Sequence, residues 1–485
     1  MAFEKQVYTG SVNMLYGRHD MSVAILKEEL NADVIKSILE TVLPLHVLNV
    51  KEINYLRDYY TGKQDILRKT KKVRDDINNK IVENNAFHIV EFKKGYEFGD
   101  PIQYVQRSET DDKELSLLNA YMIENDKATK DQEIAEDLFV CGIGHRIVLP
   151  TSELDKPFVL DNLDNKYTFV VKSTDIHRTR LFGAYIMNKS DELAEIMVYA
   201  DNGVYYYEWQ QSKANATKEK PKVKFLRAMP NPLRTIPIFE YRLNKSKMGL
   251  IELVKGQLDL LNKITSADID DIEQYINSLL VFFNQDITKE EFINMVEMGA
   301  VMMSDSVGTN LKSDVKLLSN KMLHSETKIF YQRVYDEMLT IAGVPKMSDK
   351  SSGGDTGQAR LVGEGWIMAD ERAKQDELAF KLTERQMLKL VLDICKTKET
   401  SGIKTLTVQN IEIKFTRNKS DNMLVKSQTL MNLKNAKVPP EVAFTVVGFF
   451  SDPAEVVKQA KEYYGEDFWQ DDEKVSEVVE TFAQE

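Results

Sequence analysis

The feature that most constrains this fold is a long helical pattern, followed by a short strand-like excursion and a second helix. No proline occurs from Met248 to Leu280, and apolar side chains recur there at helical spacing: Leu250, Val254, Leu258, Leu261, Ile264, Ile272, Ile276 and Leu279. A helix of that length would extend roughly 50 Å, beyond most globular helices. Val281 to Asn320 is strand-like, and Lys321 to Ala342 is helical again. The pattern predicts two rods side by side with a knob at one end, which suits a subunit of a ring.

The composition is that of an ordinary globular protein. Its 485 residues are 42% hydrophobic, enough for two to four folding units with a large core. No run approaches about eighteen apolar residues, and the opening MAFEKQVYTG lacks the apolar stretch of a signal peptide, so we expect no membrane contact. Cys141 and Cys395 lie far apart and the histidines are scattered, so we expect core thiols, no metal site and no cofactor.

Local periodicity divides the rest of the chain into helical and strand-rich stretches. Strands are predicted throughout 156–242, with Asn202-Gly203 as a hairpin turn, and over 405–416. Helices are predicted over 20–60, 111–138, 356–396, 420–435, 439–448 and 453–464.

Two glycine patterns need an interpretation. Leu138 to Leu149 resembles a strand with a glycine break. Its Gly142-x-Gly144 is weak evidence for a nucleotide site, because no third glycine follows, and it indicates a bulge or tight turn instead. Gly363 and Gly365 are candidates for kinks in the long helix.

Charged clusters offer two functional alternatives. One basic run follows an aromatic cluster and suits either a nucleic-acid patch or, as we favour, a solvated loop: Lys63, Arg68, Lys69, Lys71, Lys72 and Arg74. Asp268, Asp270, Asp271 and Glu273 could bind Mg²⁺ in a nuclease, although a solvated or inter-subunit salt-bridging face is favoured. No P-loop, GxSxG, HExxH or CxxC motif occurs, so we predict no catalytic residue.

Four segments together resemble the portal proteins of long-tailed bacteriophages, the head-to-tail connector family, over almost the whole chain. YLRDYYTGKQDIL with NNKIVENNAFHIVEFKKGYEFGDPIQY resembles the opening wing segment, and LFVCGIGHRIVL resembles a strand with a small-residue break. IPIFEYRLNKSKMGLIELVKGQLDLLNKITSADIDDIEQYINSLLVF resembles the proline-led entry into the first stem helix. SSGGDTGQAR resembles the junction after the second stem helix.

The resemblance implies an α+β, mainly helical portal fold, assembled as a ring around a central channel. On this sequence the expected wing comprises 1–245 (α/β, with a β-rich second half) and 357–419 (a long kinked helix plus a strand). Between these two pieces we expect stem helix 1 at 246–277, a clip at 278–320, stem helix 2 at 321–343 and a tunnel loop at 344–356. The expected crown is 420–485, with an acidic C-terminal tail.

Three sets of site residues follow from the resemblance. The tunnel loop facing DNA would be Lys346, Met347, Ser348, Asp349, Lys350, Ser351, Ser352, Gly353, Gly354 and Asp355. Stem contacts between subunits would be Leu250, Val254, Leu258, Leu261, Ile272 and Ile276. Docking of adaptors and terminase on the clip would use Val281, Phe282, Phe283, Val301, Met302, Val315 and Leu317.

The resemblance also implies a structural protein rather than an enzyme. It would occupy the unique capsid vertex of the virion after assembly in the host cytoplasm. Expected partners are identical copies in a dodecamer, double-stranded DNA, the terminase large subunit, scaffolding and major capsid proteins, and head–tail adaptors. Because the net charge is −12 and each neutralised phosphate tightens binding, we expect only weak contacts to the duplex, through Lys346 and Lys350.

Three alternatives remain open at this point. One is another ring-forming virion protein that passes no DNA. The second is the metal-dependent nuclease built on the acids at 268–273. The third is an intracellular scaffold with coiled-coil helices. The size of a central hole, a Mg²⁺-dependent cleavage assay and the native mass would distinguish them.

Overall fold

The computed structural model describes residues 17–72, 75–107, 112–153, 156–190, 192–210, 221–276, 279–283, 288–298, 314–318, 324–346, 365–417, 423–447, 453–465 and 468–469. The chain divides into a larger unit, 1–57 with 87–253 and 342–485, and a smaller unit, 58–86 with 254–341. Residues 58–86, predicted as wing, therefore group with those of the predicted stem and clip.

Among the described residues, eight consecutive strands lie between positions 143 and 242, and helices predominate on either side. The helices are α1 (Ala32–Tyr60), α2 (Asn85–Phe98), α3 (Asp112–Glu124), α4 (Lys127–Cys141), α5 (Leu250–Ile276), α6 (Lys289–Met298), α7 (His324–Ala342), α8 (Trp366–Thr397), α9 (Met423–Asn435), α10 (Pro440–Val447) and α11 (Pro453–Tyr464). The strands are β1 (Ser22–Val23), β2 (Gln103–Gln106), β3 (Ile143–Pro150), β4 (Phe158–Leu163), β5 (Thr168–Ser173), β6 (Arg180–Asn188), β7 (Leu193–Ala200), β8 (Val204–Gln210), β9 (Lys222–Met229), β10 (Ile238–Arg242), β11 (Leu279–Phe283), β12 (Asp314–Leu318) and β13 (Ile411–Lys414).

A six-stranded sheet forms the centre of the larger unit. Its order is β1-β5-β6-β7-β8-β9, antiparallel except for the parallel pair of β1 and β5. The predicted Asn202-Gly203 turn joins β7 to β8. Alternate strand residues such as Ile196 and Val198 are buried against Ile35 and Leu39 of α1, so the sheet has one apolar face. The β-rich prediction for 156–242 is confirmed.

A second part of the larger unit combines two small sheets with helices. Strands β10, β3 and β4 form a three-stranded sheet, and β13 pairs with β2. Helix α4 packs on β3, and α8 packs on β10. The sequence begins α10 and α11 with Pro440 and Pro453, where a helix loses no hydrogen bond to proline.

Several sequence-based boundaries are wrong for local reasons. Leu138 to Cys141 form the last turn of α4 rather than a strand. Gly142 ends that helix in the left-handed conformation, with φ of 78°. The predicted helix over 111–138 is interrupted at Asp126, whose φ of 52° is also left-handed. Gly365 caps the start of α8 and does not kink it, whereas Gly363 lies outside the described residues.

The predicted rods belong mainly to the smaller unit, and the first of them is shorter than expected. Helix α5 spans 27 residues, about 40 Å, because the chain becomes extended again at Leu279 in β11. Strands β11 and β12 pair antiparallel, as the strand-like excursion predicted, but α6 between them was not foreseen. Its sequence, KEEFINMVEM, is too short for its periodicity to have been decisive.

Replacement of Gly142 by alanine should destabilise the larger unit. A Cβ there would lie 2.3 Å from the Lys247 carbonyl oxygen, and the left-handed φ disfavours any side chain. We expect a loss of about 1–3 kcal/mol in urea unfolding. Gly256→Ala is the control, because no atom lies within 4 Å of its added Cβ and alanine favours the helix. Equal stability of the two variants would contradict this reading.

Candidate assembly and DNA-channel surfaces

Most of the predicted tunnel loop lies outside the described residues. Lys346 is the one described member; it follows Gly343, whose φ of 72° ends α7. Met347 to Asp355, Lys350 among them, lie outside the described residues. The channel role of these residues stays a prediction.

The predicted stem contacts divide into two groups. Leu250, Val254, Leu258 and Leu261 are buried within the single chain, so their apolar stripe stabilises this chain's own core. Ile272 is 51% exposed and keeps an apolar surface for a neighbour. Only the backbone of Ile276 is described, as the last residue of α5. Inter-subunit contact by the stem remains a prediction, and Ile272 is the residue best placed for it.

An extended segment lies along α5 and bonds to its polar side chains. The backbone N–H groups of Asn79, Ile81 and Glu83 donate to Asp270 Oδ1 at 2.7 Å, Ser266 Oγ at 3.0 Å and Asn262 Oδ1 at 3.0 Å. Steps of two residues in an extended chain cover about 6.6 Å, and steps of four in a helix about 6.0 Å. The two repeats therefore match, and the segment runs antiparallel to the helix. We call residues 78–84 the strap.

Asp270 anchors one end of the strap. Its buried carboxylate also accepts bonds from Lys69 Nζ at 2.7 Å and Lys71 Nζ at 2.6 Å. Loss of water would raise the pKa of Asp270, but the bonds from Lys69, Lys71 and Asn79 outweigh it and hold that pKa well below its usual range.

This geometry corrects two predictions. Asp270 is buried and paired with two lysines rather than solvated, and Glu273 accepts a bond from Asn79 Nδ2 at 2.7 Å. Lys69 and Lys71 are braces within the fold rather than residues of a solvated loop. Within the part of the chain that the structure describes, no three His, Cys, Asp or Glu side chains are grouped as metal ligands.

Glu83 of the strap links the two rods. One carboxylate oxygen accepts a bond from Thr265 of α5, and the other accepts from Tyr331 Oη of α7 at 2.7 Å. Partial burial and the Glu83 carboxylate raise the pKa of Tyr331 above its ordinary value, so its hydroxyl stays protonated as a donor. The predicted pair of rods is thus held through a shared third segment.

Helix α7 carries an apolar surface that the sequence analysis did not single out. Ile329 is 71% exposed and Phe330 is 48% exposed, whereas Val334, Met338 and Leu339 are buried. The signal was present in the sequence, since apolar residues of α7 occupy more than one face. A helix with a buried face and a second exposed apolar face is typical of a surface that is covered on assembly.

The clip residues fall in three places. Val281, Phe282 and Phe283 belong to β11, and Val315 and Leu317 belong to β12, with Phe282 opposite Val315. Val301 and Met302 lie outside the described residues. Two strands alone make a marginal sheet in water, so further pairing would stabilise it.

A buried charge cluster fixes α8 in the larger unit. Glu384 accepts hydrogen bonds from Tyr104 Oη and Tyr241 Oη, both at 2.5 Å, and from Lys127 Nζ at 2.9 Å. Arg146 pairs with Asp131 at 2.8 Å and lies 3.8 Å from Glu384. Burial would raise the pKa of Glu384, but Lys127, Arg146 and the two hydroxyls lower it. These side chains come from β2, α4, β3, β10 and α8, so their grouping was not visible in the sequence.

Glu384→Gln should cost about 3 kcal/mol of stability near neutral pH, because buried Lys127 and Arg146 would then share only one carboxylate, that of Asp131. The folded pKa of Glu384 is below its ordinary 4.5, so its stabilisation is complete above that pH and is lost as pH falls through the folded value. The difference between wild type and variant in urea unfolding should therefore shrink below about pH 4.5. Exposed Glu371→Gln on the same helix is the control; a pH-independent difference would refute the assignment.

No helix among the described residues is long and apolar enough to cross a bilayer. The rods joined through Glu83 and the exposed apolar face of α7 are typical of a protein whose surface is covered on assembly. The family described as "Phage portal protein, SPP1 Gp6-like" matches residues 41–467, and the chain belongs to it. It is thus a bacteriophage portal protein, a structural component of the virion capsid that assembles as a ring. No curated protein matches the chain significantly.

Proposed function

We propose that the chain forms the ring-shaped channel at one capsid vertex through which double-stranded DNA is packaged, retained and ejected. The observation that carries this proposal is the portal-family match over residues 41–467. The geometry supports it, since the rods linked by Glu83 form a unit that exposes Ile329 and Phe330. The ring would be a dodecamer.

The partners follow from this role. The clip would dock the terminase large subunit during packaging and the head–tail adaptors afterwards. The wing would meet scaffolding and major capsid proteins. The duplex would pass with weak contacts, because a protein of net charge −12 offers phosphates little attraction.

Electron microscopy of the purified protein tests the ring directly. Top views should show about twelve subunits around a hole that admits a duplex.

Ile329→Asp should shift particles toward free chains, because a charge would be buried against the neighbour, while the unfolding midpoint of the chain stays unchanged. Ile176→Asp is the control, being 97% exposed at the β5–β6 turn. A hole too narrow for DNA would favour a different ring-forming virion protein, and intact Ile329→Asp rings would exclude that residue from the interface.

Lys346→Ala combined with Lys350→Ala should reduce DNA packaging or retention and leave the rings intact. Both lie in the predicted tunnel loop, and few other cations are expected to face the duplex. Packaged DNA per particle is measured after nuclease treatment. Exposed Lys404→Ala is the control, and unchanged packaging in the double variant would defeat the tunnel-loop assignment.

A further inference from the structure

Strand β9 ends the six-stranded sheet of the larger unit. It pairs with β8 on one side, and within the described ranges no strand pairs with its other side. It is eight residues long, enough for a full strand to add alongside it.

Apolar side chains are exposed along this edge. Phe225 and Leu226 are each 38% exposed, and Met229 is 46% exposed, whereas Val223 belongs to the core between the sheet and α1. The Phe225 ring packs edge-on against buried Tyr207 with centroids 5.6 Å apart. Phe225 therefore continues the sheet's apolar face to the solvent, whereas Met229, opposite Val204, lies on the same face as Arg227. Exposed apolar side chains along a free edge are typical of an edge that is covered on binding.

A β-bulge in β9 places the three cationic side chains of the strand on one face. Leu226 has no residue opposite it on β8, so the register shifts there. Lys222, Lys224 and Arg227 lie opposite Gln210, Glu208 and Tyr206, which alternate along one face of β8. Without the extra residue, Arg227 would point to the α1 face. The strand thus has a cationic face, an apolar face and no acid of its own.

The charge of these three side chains distinguishes between two possible partners of the edge, β9 of a second copy and an acidic strand. Antiparallel pairing of β9 with β9 of a second copy would set Lys and Arg against Lys and Arg, which is unfavourable. An incoming strand with acids on that face would pair with all three cations. The Arg227 guanidinium already lies 4.2 Å from the centre of the Tyr206 ring, so its position is defined.

A groove beside the strand provides room for side chains. It has a volume of about 360 Å³ and lies between Lys36 and Glu40 of α1 and the segment from Pro221 to Lys224. Its lining also includes Glu208 and Gln210 of β8 and is mostly charged or polar, so the groove suits polar side chains of an added strand.

We propose that the outer edge of β9 binds an extended acidic segment of another protein, which adds as a seventh strand with acidic and apolar residues in alternation. The acids would face Lys222, Lys224 and Arg227, and the apolar side chains would extend the core formed by Val223 and Phe225. The proposed site belongs to the larger unit and uses none of the residues predicted for the tunnel loop, the stem contacts or the clip.

The probe is a labelled ten-residue peptide of alternating valine and glutamate, with a valine–lysine peptide as its counterpart. Assembled rings should bind the glutamate peptide about tenfold more tightly at low salt, from three favourable cross-strand pairs. Amide exchange of residues 222–229 should slow on binding. The variant Lys222→Glu, Lys224→Glu, Arg227→Glu should reverse the preference. A variant with Lys396, Lys404 and Lys437 changed to Glu is the control and should not reverse it.

Three results would overturn the proposal. The first is equal affinity for the two peptides, or no binding of either. The second is equal binding of a glutamate peptide N-methylated at alternate residues, because such a peptide cannot complete a strand ladder. The third is slow exchange, in rings without peptide, of those amides of 222–229 that point away from β8, which would show that a second copy covers the edge. All of these are independent of whether the ring conducts DNA.

Discussion

The smaller unit depends on the hydrogen bonds between the strap and α5, in which the spacing of the strap N–H groups matches that of the acceptors on the helix. Asn262, Ser266 and Asp270 recur every fourth residue on the helix, and each accepts one backbone N–H from an extended chain. A buried N–H without a partner would cost about 1–3 kcal/mol, so the strap can lie against the helix only in this register. Through Glu83 the same register places α7, and thereby the face that carries Ile329 and Phe330.

Sequence patterns predicted the elements better than their partners. Apolar spacing located α5, the strands of 156–242 and the last three helices, because burial of one face is a local property of the sequence. The acids at 268–273 looked like a polar face for the same reason. Nothing local to them indicates that residues 69–79, some two hundred positions earlier, supply the cations and amides that Asp270 binds. Likewise, the partners of Glu384 come from four separate elements.

Periodicity also could not show whether an apolar side chain is buried within its own chain or against another copy. The leucines of α5 were predicted as contacts between subunits, and they are buried in the single chain. On the two rods the exposed apolar residues include Leu253 and Ile272 of α5 and Ile329 and Phe330 of α7. A stripe reports only that a face avoids water. Exposure in the folded chain identifies which apolar face is still accessible to solvent. The sequence alone does not contain that information.

The distribution of cations bears on how such a ring could carry DNA. Lys69 and Lys71 bind Asp270, Lys127 binds Asp131 and Glu384, and Arg146 binds Asp131. A cation that is already paired with a carboxylate neutralises no phosphate, so it releases none of the counterions condensed on DNA and adds little to DNA affinity. In a chain that is already acidic, using these cations as internal braces leaves fewer for a duplex. The same internal ion pairs would then account both for the rigidity of the subunit and for its weak binding of the duplex. A channel through which DNA slides would need both properties.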